Sequence, residues 1–281
     1  RAPPLPPLAP VPAPPLHRVR RLSYSALALF ERCSYRFYAE RIANMRPSDA
    51  RGGPRGDGLA ATEIGDAVHR LLEVVDLGAP RCPTGEHLAE TVRGWYASVT
   101  EDELARIERL VASYCESELA GRLSALEDVS AERPFVFEHD GVLLHGRLDV
   151  LARLGTRMLV VDFKTNMLDE DALPEDVVAS EYRLQRVVYA LACFRAGAHE
   201  VETVYHFLDR PDGIVTTTFD RSDVPALESE LSEAIAVIQR GVFRPTPSEF
   251  VCAGCPVLDV VCAGPRLPGA RRAAEPALAA T

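Results

Sequence analysis

The chain has 281 residues, 47% of them apolar, and 41 acidic against 31 basic side chains give a net charge of −10. That length holds one large domain or two small ones, and no apolar run is long enough to cross a membrane. The acidic balance weighs against a broad nucleic-acid-binding surface, although Arg18, Arg20, Arg21, Arg32, Arg36 and Arg41 gather near the start as local basic ground.

Residues 1–16, RAPPLPPLAPVPAPPL, hold eight prolines. They exclude a helical signal-peptide core and read as a polyproline II spacer, so 1–20 is expected to be a linker. The chain opens on Arg1 rather than Met, which reads as a domain cut from a longer protein tethered to an N-terminal partner. Next comes LSYSALALFERCSYRFYAERI, an expected helix capped by Ser23, with Leu27, Phe30 and Tyr38 on its apolar stripe. Residues 47–60 read as a loop, Ile64, Val68, Leu71, Leu72 and Val75 repeat at helical spacing, and 86–128 continue the helical pattern.

The texture changes at Arg133. PFVFEHD, GVLLHGRLDVLARL and TRMLVVDFKT predict three consecutive strands, turned at Asp140-Gly141 and Leu154-Gly155. A loop is expected over 167–180, then a helix marked by Leu184, Val187, Val188, Leu191 and Phe194 and ended by Gly197. VETVYHFL and GIVTTTF predict two more strands, and PALESELSEAIAVIQRG an amphipathic helix. The whole predicts an α/β or α+β core, a mixed sheet flanked by helices, over 21–265, with a disordered tail at 266–281.

Three features carry chemistry. In VVDFKTN, Asp162 and Lys164 share one face of a strand while Phe163 takes the other. Buried charges need a reason, either a salt bridge at a strand end or a metal site. Asp149, thirteen residues earlier in GRLDV, reaches the same end of a hairpin, and two hard carboxylates together suit Mg²⁺ or Mn²⁺. His69 lies one turn after Gly65, which leaves room for close approach; Gln185 and Tyr189 stack at i, i+4. Taken singly, these read as a half-buried histidine and a polar helix flank. The third feature is sulfur. Of seven cysteines, Cys252, Cys255 and Cys262 crowd into CAGCPVLDVVC. With Cys33 as a fourth, they could hold zinc or an iron–sulfur cluster, or stay free thiols. Cys82, Cys115 and Cys193 read as ordinary thiols.

The order G-x-x-x-H on a helix, G-R-x-D on a strand, V-D-x-K-T on the next strand and Q-x-x-x-Y on a helix resembles the RecB-type branch of the PD-(D/E)XK nucleases. The resemblance spans roughly residues 22 to 265. It implies a restriction-endonuclease-like core with a helical opening and metal-assisted hydrolysis of DNA phosphodiesters. It also implies His69, Asp149, Asp162 and the Phe163 carbonyl as metal ligands, Lys164 as catalytic lysine, and Gln185 and Tyr189 as residues that place the phosphate and the lysine. Relatives often carry an acid where Glu132 begins the first strand, and Leu148 stands where the superfamily name has proline. Cys33, Cys252, Cys255 and Cys262 resemble the ligands of the iron–sulfur subgroup, a [4Fe–4S] cluster clamping the two chain ends. The last two are spaced by six residues, where relatives more often have five. The resemblance further implies a cytoplasmic exonuclease module of a helicase–nuclease, similar to AddA/AddB-like or UvrD-like machines, acting on DNA ends in double-strand-break repair and recombination. A freestanding exonuclease and a catalytically silent scaffold module are the rival readings.

Overall fold

A computed structural model describes residues 19–46, 58–169, 171–210, 213–252 and 254–266. The expected linker up to residue 18 and the expected tail beyond 266 lie outside the described residues.

The chain opens with a short strand, β1 (Arg21–Ser23), and a helix, α1 (Tyr24–Arg32), whose first turn is capped by Ser23 Oγ accepting from the Ala26 N–H. The single long opening helix expected from sequence is divided. Cys33 leaves the helical conformation, its sulfur caps α2 (Ser34–Phe37), and a π-turn over Tyr38–Ile42 follows. A helical lobe comes next, made of α3 (Ala61–Glu73), α4 (Gly85–Trp95), α5 (Glu101–Cys115) and α6 (Glu118–Ser124). At the start of α5 the Thr100 hydroxyl accepts from Glu103 N–H and the Glu103 carboxylate accepts from Thr100 N–H, a reciprocal cap. Glu103 also accepts from Leu59 N–H and so fixes the approach to α3. Cys82 and Cys115, read above as ordinary thiols, are joined by a disulfide. They lie 33 residues apart in sequence, and only the packing of the α5 C-terminus against the 80–84 segment brings them together.

The sheet follows: β2 (Asp128–His139), β3 (Val142–Leu154), β4 (Arg157–Lys164), β5 (Glu200–Phe207) and β6 (Ile214–Asp220). Between β4 and β5 come α7 (Pro174–Glu181) and α8 (Arg183–Arg195), and after β6 comes α9 (Val224–Gln239). The expected loop over 167–180 therefore contains a helix. Pro174 in its first turn, with Glu175 and Asp176, is a helix-start signal. The helix is short and buries Val178 alone, so it has no apolar stripe to read. The β2–β3 turn is the predicted one, with Asp140 and Gly141 both at positive φ, as the tight hairpin turn requires.

The sheet is mixed and six-stranded, in the order β1-β3-β4-β5-β6 with β2 on the other side of β3. β1 pairs with β3 in parallel and β4 with β5 in parallel; the remaining pairs are antiparallel. Helices α1, α8 and α9 cover one face through Leu148, Leu151, Val160, Val188 and Leu231, and the α3–α6 lobe covers the other through Val150, Leu159, Val161 and Phe163. This is the expected mixed sheet between helical layers.

Candidate active site

One irregularity in the sheet makes the site. β1 leaves β3 at the Ser23–His145 pair, and the β3–β4 pairing begins only at Val150–Val161. Residues 146–149 of β3 have no strand on that side among the described residues, while β4 runs on to Lys164 against β5 alone. The strands fork, and the fork frees main-chain groups that side chains then claim. The Phe163 N–H donates to Asp149 Oδ2 at 2.8 Å, and the Arg147 carbonyl accepts from the Tyr189 hydroxyl at 3.3 Å.

The strand alternation also changes here. Val142, Leu144 and Leu148 face the α8 side, whereas Val150 and Ala152, of the same parity, face the α3–α5 side. Across from Asp149, Glu132 has φ +50°, a left-handed backbone that a β-carbon disfavours. Such strain persists where the surroundings over-determine it. Its effect is to bring Glu132 to the mouth of the fork. His69, Glu132 and Asp149 each offer a ligand atom within 4.8 Å of the others. Opposite ligands on one Mg²⁺ stand about 4.2 Å apart, so a small closure makes this a coordination set.

His69 comes from α3, which approaches closely because Gly65 has no side chain; a β-carbon there would lie 2.9 Å from Thr165 Oγ1. His69 Nδ1 is 3.5 Å from Asp149 Oδ2. Burial lowers the His69 pKa, so its imidazole stays neutral and available as a ligand. Asp149 moves the other way: burial, then the negative charge of Asp162, raises its pKa well above the usual carboxylate range. A pair of acids that repel one another in a buried pocket, with a neutral imidazole beside them, is a donor set that a divalent cation relieves.

The second half of the site lies on the α8 face of β4. Asp162 Oδ1 accepts from Gln185 Nε2 at 2.7 Å and from the Tyr189 hydroxyl at 2.9 Å, and Gln185 Nε2 also reaches Tyr189 at 2.8 Å. Lys164 Nζ stands 2.5 Å from Asp162 Oδ2 and donates to Gln185 Oε1 at 2.8 Å. Asp162 and Lys164 thus share a face, as read from VVDFKTN. Phe163 points to the other lobe against Tyr114, ring centroids 4.8 Å apart. Asp162, weighed from sequence as either a salt-bridge partner or a metal ligand, forms the salt bridge with Lys164, and the His69–Glu132–Asp149 group that could hold a metal does not include it. His69, Asp149, Asp162, Lys164, Gln185 and Tyr189 line a cleft of about 990 Å³ whose walls include Arg32, Arg106, Tyr182 and Val251.

A family model described as the PD-(D/E)XK nuclease superfamily matches residues 21–262. The chain belongs to that superfamily. Within the matched span, Leu148 precedes Asp149, and Asp162 lies two residues before Lys164. PD-(D/E)XK nucleases use divalent metal ions, and the His69–Glu132–Asp149 group fits one by its chemistry of two hard carboxylates and an imidazole. Among solved structures, the chain is similar to a protein from Eubacterium rectale assigned as an exonuclease, at 10% identity and TM-score 0.46, covering 80% of this chain and 84% of that one. It is also similar to SSO0001, at 18% identity and TM-score 0.34, covering 72% and 95%. No curated protein matches.

Sequence reading took Glu132 for the first residue of its strand, whereas it lies inside β2; its strained backbone has no sequence signature. Reading residue by residue also passed over Tyr182 and over a compositional signal: Lys164 is the single lysine in a chain with thirty arginines. Where arginine serves every other cationic position, a lone lysine marks a place that needs a compact ammonium.

The four cysteines form a second cluster. Cys33 and Cys252 are buried, Cys255 and Cys262 partly so, and all four are free thiols. The Cys33 sulfur accepts from the Arg36 and Thr246 N–H groups, at 3.5 and 3.4 Å. Burial raises the Cys252 pKa, with smaller contributions from Cys255, Cys262 and Cys33, so the four are electrostatic neighbours. Arg36 donates to the Val251 carbonyl at 2.6 Å, and Val251 lines the cleft. The cysteine corner therefore buttresses one wall of the site.

Proposed function

We propose that this chain is a metal-dependent deoxyribonuclease that hydrolyses phosphodiester bonds from DNA ends, as the exonuclease module of a helicase–nuclease. The observation that carries the reading is the joining, in one cleft, of His69 and Asp149, two members of the group that Glu132 completes, to the Asp162–Lys164–Gln185–Tyr189 network. A divalent ion, Mg²⁺ or Mn²⁺, would be held by His69, Glu132 and Asp149, with Asp162 and the Phe163 carbonyl beside it, and would supply Lewis acidity toward the phosphate. Lys164 places a positive charge where charge develops on the phosphate and can orient the attacking water. Gln185 fixes the ammonium through its carbonyl and Asp162 through its amide, and Tyr189 braces both. Arg106 of α5 makes no ion pair among the described residues and lines the cleft, a cation suited to a backbone phosphate of the strand.

Cys33, Cys252, Cys255 and Cys262 are proposed to hold a [4Fe–4S] cluster. The support is that Cys255, Cys262 and Cys33 are all electrostatic neighbours of Cys252, in the spacing that resembles the iron–sulfur subgroup. Membership of a helicase–nuclease rests on the RecB-type resemblance, and net charge −10 agrees with a module that borrows its DNA affinity from a partner.

The test is cleavage of end-labelled linear single-stranded DNA by anaerobically purified protein with Mg²⁺ or Mn²⁺, beside Asp162→Ala. Metal-dependent loss of label that falls by about 10³-fold or more in the variant is expected. No cleavage by folded, iron-loaded wild type would instead favour the silent scaffold.

A further inference from the structure

Lys164 has a contact beyond its two polar neighbours. Its Nζ stands 4.0 Å from the centre of the Tyr182 ring and 5.4 Å from that of Tyr205, both within cation–π range. The two rings stack, with centroids 5.7 Å apart and planes 25° from parallel. Tyr182 is 8% exposed and Tyr205 1%, so little water competes for the ammonium on that side.

Tyr182 sits at the N-cap of α8, one turn before Gln185. Its hydroxyl donates to Asn166 Oδ1 at 3.2 Å, two residues beyond Lys164. One side chain therefore ties the start of α8 to the end of β4 and lays a π face against the ammonium between them. A lysine stem is long and rotamer-rich, and a site that needs its nitrogen in one place must restrain it. Of its three restraints, Asp162 is itself a metal-ligand candidate and must serve two partners. Gln185 and Tyr182 carry no such second duty.

We propose that Tyr182, backed by Tyr205, is a positioning residue whose ring seats the Lys164 ammonium for phosphodiester hydrolysis. The proposal rests on the nuclease reading above. The contrary view is that Tyr182 only packs, as a member of the small apolar cluster with Val178, Phe207 and Val215. The two views differ in what replaces the ring. Phenylalanine keeps the π face, and leucine keeps apolar bulk alone.

The experiment measures kcat and KM on the same DNA for the whole chain carrying Tyr182→Phe or Tyr182→Leu. In metal-free protein, it also follows amine acylation at Lys164 by mass spectrometry, a clean readout because the chain has no other lysine. Tyr182→Leu is expected to lower kcat about 10- to 30-fold with KM changed less than about twofold. It should also acylate several times faster, whereas Tyr182→Phe stays within about threefold of wild type on both counts. A folded leucine variant with wild-type kcat and labelling overturns the proposal, as does a phenylalanine variant damaged equally. If wild type does not cleave, the nuclease reading fails, and labelling still decides the seat: faster acylation in the leucine variant supports it, equal rates overturn it. If the leucine variant does not fold, phenylalanines of increasing ring fluorination at 182 replace it. Acylation that speeds up as the ring weakens supports the seat, and a flat series overturns it.

Discussion

The fork between β3 and β4 and the cysteine corner both gather groups that suit a metal, yet the protein treats them differently. At the fork, the fold supplies most partners itself: Asp162 is held by Gln185, Tyr189 and Lys164, and Asp149 by the Phe163 N–H. At the corner, the Cys33 sulfur is held by two long N–H contacts. The corner also brings the end of α1 beside the 252–262 segment, more than two hundred residues away in sequence. The fork is preorganised by hydrogen bonds, so losing its ion should spare the fold. The cluster proposed for the corner would close a long loop through sulfur, so its loss should not.

A large effect is expected from Lys164→Arg. Charge is kept, but the wider guanidinium fits neither the Asp162–Gln185 pocket nor the Tyr182 ring in the same place. Cleavage should fall by about 10²- to 10³-fold while the thermal melt stays within a few degrees. A variant of near-normal activity would show that the fork needs only a positive charge.

Cys252→Ser should sharpen the contrast from the other side. Loss of the cluster's visible absorption and iron, with a drop in Tm of about 10 °C, is expected from opening a loop of this length. An unchanged melt would make the corner a passive pair of chain ends and remove the distinction.

Asp149→Asn is expected to abolish cleavage yet raise the Tm of metal-free protein by about 2–4 °C at neutral pH. It removes a carboxylate that burial and Asp162 make costly to ionise. The sign with pH follows from a native pKa above the unfolded one. As pH falls through the native value, Asp149 protonates, the wild type recovers stability and the variant's advantage shrinks. An advantage that grew with acidity would contradict burial and repulsion by Asp162 as its cause. The smallest effect is at the rim: Arg106→Ala should raise KM about three- to tenfold with kcat unchanged, and flatten the log–log salt dependence by about 0.7. A kcat loss at constant KM would move Arg106 into the chemistry.

Much of this was legible in the chain. VVDFKTN fixed the faces of Asp162, Phe163 and Lys164 because a strand has period two, and the i, i+4 spacing put Gln185 and Tyr189 on one helical face. Leu154-Gly155 set the hairpin that brings Asp149 near Asp162. These are local rules, and local rules survive in sequence. What escaped depends on contacts far apart in the chain or on conformations that no residue type announces. Glu132 reaches the site through a strained φ opposite Asp149, and Tyr182 meets Lys164 only because α8 starts above the end of β4. Cys82 finds Cys115 only once α5 is packed. The sequence by itself determined that Asp162 and Lys164 share one face of a strand and that Gln185 and Tyr189 share one face of a helix, because both periods are local. The tertiary structure decided that β1 and β4 part around β3, and that parting frees the main-chain groups and the space from which the site is made.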